Sequence, residues 1–291
     1  MRLGVNVPNF GPGTDPDVLR RWAQTVEGLG FDLLMVSDHV VITPDVAEQY
    51  PAPFYEPFTT LSWLAGITSG IGLGTTVILV PYRHPLLVAR MAANLNDLSG
   101  GRLVLGVGVG WARQEFEALG AAYERRGKVT DEYLAAIRTA WADERDYRSG
   151  GVPIWVGGGS EAALRRAVRY GDAWHPLRSS VSWLRETWSR VQDIAAEQGR
   201  PAPALAPRIL LRITDSPLEE RRAGEGTIDQ VMADLEALRL LGAETVVLDP
   251  FHQDPEETLH PEAAWEMLAA VAARRPRTAP QTGPAASPRR S

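Results

Sequence analysis

The chain has 291 residues, 44% hydrophobic and 23% charged, enough for one large domain with a sizeable core. Its formal net charge of -6 argues against a nucleic-acid footprint, which needs a basic face. There is no cysteine, so disulfides, thiolate metal sites and cysteine nucleophiles are excluded; no signal peptide or apolar run of about 18 residues is read, so a cytoplasmic enzyme without membrane or nucleic-acid partners is expected.

Periodicity then alternates short β-branched runs with amphipathic stretches. A strand at Leu3–Val7 leads to a helix at Pro16–Leu29, which Asp15-Pro16 opens and Gly30 closes. Asp32–Ser37 precedes a helix at Pro57–Thr68, and Gly72–Leu79 precedes one at Pro85–Leu98, which His84-Pro85 opens. Leu103–Val107 is followed by Thr130–Trp141, Pro153–Val156 by Glu161–Tyr170 with Ser160 as N-cap, and Ala173–His175 by Trp183–Glu197. Arg208–Ile213 and Ile228–Leu241, then Thr245–Leu248 and Pro261–Ala273, complete the alternation. Strands of near-continuous apolar character, each followed by a helix, indicate a parallel sheet covered on both faces. Typical (β/α)8 barrels run to about 250 residues, so residues 1–275 are expected to form a single α/β TIM barrel, with a doubly wound open sheet as the alternative. From 276 to 291 the chain is rich in Pro, Ser and Arg without periodicity, and a disordered tail is expected there.

In a parallel barrel the chemistry gathers where strands end. Those positions here hold Asn6, Ser37-Asp38-His39, Thr75-Thr76-Val77, Gly108-Val109-Gly110-Trp111, Gly157-Gly158-Gly159-Ser160, Trp174-His175, Arg212 and Asp249. His39 suits a general acid or base with Asp38 beside it to orient it or exchange protons; a hydrogen-bonded structural pair is the bland alternative. Three glycines entering a helix at Ser160 free backbone amides for a phosphate; a tight strand-to-helix turn is the alternative. Gly106, Gly108 and Gly110 do not complete a dinucleotide fingerprint. They suit a wall against a planar ring, or close packing at the barrel centre. No H-E-x-x-H pair and no G-x-S-x-G elbow occurs, so neither a metal site nor a serine triad is supported.

The stretches GFDLLMVSDHV at 30–40, LGTTVILVPYRHPLLVARMAANLNDLSGGRLVLGVGVGWARQEFEALG at 73–120 and PIWVGGGSEAALRRAVRYGDAWHP at 153–176 resemble the bacterial luciferase-like family, in its coenzyme F420-dependent oxidoreductase branch. The resemblance implies a (β/α)8 barrel, commonly a homodimer, with a deazaflavin ring across the mouth. It implies catalytic roles for His39 and Asp38, with Asp38 also near the ring. It places a non-proline cis peptide at Thr76-Val77, a wall at Val109 and Gly110, and the phosphate loop at Gly157, Gly158, Gly159 and Ser160. Asn6, Trp111, Trp174 and His175 would line the substrate side. FMN is the alternative cofactor, which would make the chain a luciferase-like monooxygenase; a barrel that has lost its cofactor and a phosphosugar isomerase are further alternatives. Two departures matter. Trp111 stands where sugar-phosphate dehydrogenases of the family carry an acidic Glu, and only ten residues separate Trp141 from Val152, where the family usually inserts some tens. A more open mouth admitting a small or bulky organic substrate is expected, or one completed by the loop between Pro44 and Pro57.

Overall fold

The computed structural model describes residues 1–143 and 152–275; the tail expected at 276–291 lies outside them, as does most of the short connection after Trp141. Along the chain the elements are β1 (Arg2–Asn6), α1 (Pro16–Gly28), β2 (Leu33–Val36), α2 (Pro44–Ala47), α3 (Pro57–Ala65), β3 (Gly72–Thr75), β4 (Ile78–Leu79), α4 (Pro85–Leu98), β5 (Leu103–Gly108) and α5 (Arg113–Ala118). They continue as α6 (Arg126–Trp141), β6 (Ile154–Gly157), α7 (Glu161–Tyr170), β7 (Ala173–His175), α8 (Val181–Glu197), β8 (Ala204–Leu205), β9 (Arg208–Leu210), β10 (Arg212–Ile213), β11 (Glu225–Gly226), α9 (Ile228–Leu240), β12 (Thr245–Asp249) and α10 (Pro261–Arg274).

The main sheet runs β8-β7-β6-β5-β3-β2-β1-β12-β9, with every pair parallel. Its two ends belong to one stretch of chain. On one side Ala206 N–H donates to the Trp174 carbonyl (2.9 Å) and Arg208 N–H to that of Pro176 (2.8 Å). On the other, Val247 N–H donates to the Pro207 carbonyl (2.9 Å) and Leu211 N–H to that of Asp249 (2.8 Å). The segment 204–211 therefore closes the sheet into a (β/α)8 barrel.

The helices start where local chemistry stops an extended chain. The Asp15 carboxylate accepts the Val18 N–H (2.7 Å) ahead of Pro16, and Thr227 with Gln230 forms a capping box on α9. Gly30, Gly100 and Gly242 follow helix ends at φ between 72° and 95°, which only glycine adopts without strain. On α1 the stripe Val18, Leu19, Trp22, Ala23 and Val26 turns inward, and each fully buried aliphatic contributes roughly 1.5–3 kcal/mol.

Two predicted strands need correction. Gly72–Leu79 is not one strand: it splits into β3 and β4 around a cis peptide between Thr76 and Val77, and both halves pair with β5. The seventh stave starts earlier than Arg208, at Ala204, and Arg212 leaves it to pair in an outer ladder with Glu225. Helices α2 and α5 have four and six residues, too short to show a period.

The barrel interior sets the floor of the mouth. Leu33, Met35, Val104, Trp155, Ala173, Ala206 and Val247 form an apolar plug of their own. Two residues further along the same strand faces lie His175, Arg208 and Asp249, all buried. The interior thus changes from apolar to polar and charged over a single layer, toward the carboxyl ends of the strands.

The glycines of β5 answer to packing. A Cβ on Gly106 would lie 1.9 Å from the Thr75 carbonyl oxygen, and one on Gly108 would lie 2.5 Å from Val77 Cγ2. These two are required by the close approach of the third stave, whatever else lies against them. Gly106→Ala should accordingly cost about 2–3 kcal/mol, because backbone cannot move aside as a side-chain tip can. Urea unfolding would check this through a lowered midpoint at unchanged slope.

Candidate active site

His39 lies just past the end of β2, with its side chain 5% exposed. Its Nδ1 is 2.6 Å from Oε2 of Glu115, a residue of α5 that is fully buried. The same carboxylate accepts the backbone N–H groups of Val40 (2.6 Å) and Val41 (3.1 Å) on Oε1, and the Tyr82 hydroxyl (3.0 Å) on Oε2. Burial pushes the Glu115 carboxyl up, but the His39 hydrogen bond and charge and the two amides outweigh it, so its pKa lies below the usual range. Burial, reinforced by the charge of Glu115, raises the Tyr82 phenol, so its proton stays in place and points at the carboxylate. An ionised Glu115 accepts only. His39 Nδ1 is therefore the donor, and Nε2 is left as the nitrogen that can exchange a proton. No hydrogen bond holds Nε2 among the described residues. The ring is enclosed by Tyr50 (centroids 5.1 Å), Phe54 (5.5 Å) and Trp111 (5.8 Å). Tyr50 and Phe54 come from the stretch between Pro44 and Pro57, so that loop completes this side of the mouth.

Asp38 faces differently. Arg83 grips it through both guanidinium ends (2.7 and 2.8 Å), the Leu79 N–H adds a third bond (2.8 Å), and Arg83 also reaches Glu56 (3.1 Å). With its side chain fully buried, Asp38 fixes the backbone after the cis peptide. The expectation that Asp38 orients His39 is corrected: Glu115 does so.

A second buried network crosses the floor. Asp249 Oδ2 accepts from Arg208 (2.8 and 3.1 Å) and Arg178 (2.9 and 3.1 Å), and Oδ1 accepts from Asn6 Nδ2 (3.0 Å). Arg208 continues to the Thr76 carbonyl (2.9 Å) and hydroxyl (3.1 Å), and Thr76 Oγ1 is 2.9 Å from His175 Nε2. Burial, opposed by the hydrogen bond to the Ala206 carbonyl and assisted by the charge of Arg208, pulls the His175 pKa down to about 4. The ring is neutral at pH 7, donates from Nδ1 to Ala206 O (2.5 Å) and accepts the Thr76 hydroxyl. Because its folded pKa lies below the unfolded value of 6.5, the unfolded chain takes up the extra proton. His175 then favours folding fully above about pH 6.5, and this contribution is lost as pH falls toward 4, by about 3 kcal/mol in all. Urea titrations at pH 7 and pH 4.5 should show that loss in the parent and not in His175→Asn.

The third feature is the loop into α7. Gly158 takes φ 106°, and Ser160 caps the helix by accepting the Ala163 N–H. The N–H groups of Gly159 and Ser160 have no protein acceptor among the described residues, while the pairing of Gly157 with His175 engages the Gly158 N–H in the sheet. These two donors, Gly159 and Ser160, lie at a helix N-terminus, where a phosphate is favoured. Packing constrains the loop as well: a Cβ on Gly159 would strike the Trp183 ring at 2.8 Å. Gly157 lies where a Cβ would be 3.3 Å from Val77 Cγ1, which joins the loop to the cis segment.

The predicted residues thus divide. His39 lies against Trp111, Gly157 lies close to Val77, Thr76 joins the floor network, and Val109 and Gly110 lie in the half-buried loop after β5; Gly110 takes φ 82°. Asn6 and His175 belong to the floor network. His175 and Trp174 were expected to line the substrate and do not: His175 is 2% exposed, and Trp174 is fully buried, donating to Gly158 O (2.8 Å) and stacking on Trp188. Arg212, noted near a strand end, is exposed; the inward arginine is Arg208. Sequence reading missed Glu115, Arg83, Arg178 and Arg208. The separate cavity of about 310 Å³ between α1 and α10, lined by Trp22, His252, Glu257 and Met267, contains none of the predicted site residues.

Comparison with known proteins places the family and the fold. A family model described as luciferase-like monooxygenase matches residues 1–278. A phthiodiolone/phenolphthiodiolone dimycocerosates ketoreductase of Mycobacterium bovis is 30% identical over 213 residues, 65% of this chain and 54% of that protein. An F420-dependent secondary alcohol dehydrogenase, solved with an F420–acetone adduct, superposes with a TM-score of 0.74 at 17% identity, over 93% of this chain and 98% of that one. The FMN-bound oxygenating constituent of 3,6-diketocamphane monooxygenase from Pseudomonas putida gives 0.72 at 17% identity, over 94% and 97%.

Proposed function

The chain belongs to the luciferase-like monooxygenase family, and from that premise we propose that it is an oxidoreductase moving a hydride between coenzyme F420 and an organic alcohol or carbonyl compound. The observation that carries this reading is the His39–Glu115 pair, which supports a general acid–base role at one nitrogen beside the mouth. When bound, the deazaflavin would accept or supply the hydride. The amides of Gly159 and Ser160 suit its phosphate, while the Thr76-Val77 segment and the Val109-Gly110 loop suit its ring.

The protein's own part is to manage the proton. Glu115 keeps Nδ1–H of His39 occupied, so Nε2 takes a proton from an alcohol or returns one to a carbonyl oxygen. Tyr50, Phe54 and Trp111 keep water away from that exchange, so the proton passes to the substrate. The phosphate cradle serves FMN equally well, and FMN-dependent oxygenation is the second reading.

The test supplies reduced deazaflavin anaerobically with a panel of ketones, and reduced FMN aerobically with the same panel. Ketone-dependent reoxidation of the deazaflavin, with oxygen consumption no faster than for free FMN, is the expected result. Substrate-dependent oxygen uptake with FMN alone would move the assignment to a monooxygenase.

A further inference from the structure

An open basic groove of about 580 Å³ runs down the flank of the barrel below the glycine loop, lined by Ala162, Arg165, Arg166 and Arg169 of α7, with Asp131 and Arg200. Its upper end is Ala162, two residues past Ser160. Because α7 follows β6 it runs away from the mouth, and at 1.5 Å per residue Arg169 lies roughly 13 Å below Ser160. The groove therefore begins in the first turn of α7, next along the chain from the loop suited to the phosphate, and leads away from it.

Its charges do not balance. Arg166 is neutralised by Asp131 (2.6 and 3.2 Å). Arg165 and Arg190 share Glu161 and Glu197, two cations against two anions. Arg169 and Arg200 are left over. Arg169 lies over the Tyr170 ring (5.0 Å), Arg200 donates to the Arg169 carbonyl (3.0 Å), and neither meets a carboxylate among the described residues. Two guanidinium groups without a carboxylate partner, both lining a groove that starts in the first turn of α7, suit an anionic chain that continues beyond a phosphate.

FMN ends at its phosphate. Coenzyme F420 continues from its phosphate through a lactyl group into γ-linked glutamates, each adding a carboxylate. Building on the cofactor reading above, we propose that this groove docks the glutamyl tail of the deazaflavin, with Arg169 and Arg200 pairing with its carboxylates and Arg165 at the entrance. The groove then separates the two cofactors at a point remote from the ring, and it makes affinity depend on tail length.

The experiment compares, by fluorescence quenching, three cofactors: the deazaflavin lacking glutamates, the same ring with a tail of several glutamates, and FMN. Each is titrated into the parent and into Arg169→Gln/Arg200→Gln, with thermal melts confirming that both are folded. The tailed form should bind the parent about three- to tenfold more tightly than the tailless form at low salt, as expected for exposed ion pairs. That margin should shrink in 0.5 M salt and vanish in the double variant, with tailless affinity unchanged. Equal affinity of tailed and tailless forms for the parent would overturn the groove assignment and leave the cofactor reading intact. Binding of FMN with neither deazaflavin form would overturn both.

Discussion

Replacing His39 by alanine should lower turnover by about 10²–10⁴-fold, the range a positioned acid or base supplies, with cofactor affinity roughly retained. The loss is expected in kcat because the neighbours of the ring cannot take its place: Tyr50, Phe54 and Trp111 are not bases near neutral pH, and the Glu115 carboxylate is held by the Val40 and Val41 amides and the Tyr82 hydroxyl. Glu115→Gln makes a sharper test. A glutamine fills the same space and can still accept the Val40 and Val41 amides, but it can turn a donor toward His39 Nδ1. The imidazole would then carry its proton on Nε2, the wrong tautomer for accepting one from an alcohol. Turnover should fall at least 10²-fold with KM little changed. Unchanged turnover in His39→Ala would remove the histidine from the mechanism. A loss in Glu115→Gln confined to KM would mean that the pair only shapes the pocket.

Asp249→Ala should be the most destabilising single change in the floor, by about 3–5 kcal/mol. It strands two guanidinium groups, both nearly out of solvent, that share this one carboxylate. Against a typical total stability of about 5–15 kcal/mol, much of the folded population is at risk, and the urea midpoint should drop accordingly. Acid should act through the same residue. Burial raises the Asp249 carboxyl, but Arg208, Arg178 and Asn6 outweigh this and hold its pKa below the usual 3.8. Its contribution is therefore complete above about pH 4 and is lost only as pH falls further, through the folded value. The His175 contribution is lost between pH 6.5 and about 4, so the two effects separate along the pH axis.

The barrel was legible because its strands are apolar throughout and its helices carry caps and C′ glycines at regular intervals. His39, the glycine loop and the cis position were legible because each lies at a strand end and matches a family motif. Glu115 was not, because a glutamate within the polar run ARQEFEALG reads as solvent-facing, and a six-residue helix shows no period. Arg208 was hidden for a related reason: it opens a strand, two residues beyond inward-facing Ala206, and only barrel closure shows that it meets Asp249 and Thr76. Trp174 and His175 misled because a strand end suggests the mouth. Trp174 alternates onto the helix-facing side of its strand, and His175, on the inner side, lies beneath Thr76. Tyr50 and Phe54 come from a loop whose path no local pattern specifies.

The central claim, that this barrel holds a deazaflavin for hydride transfer, is tested most directly by titrating the purified protein with F420 and, separately, with FMN, following fluorescence quenching. The account predicts saturable F420 binding in the micromolar range or tighter, with FMN at least tenfold weaker. Tighter binding of FMN than of F420 would contradict it.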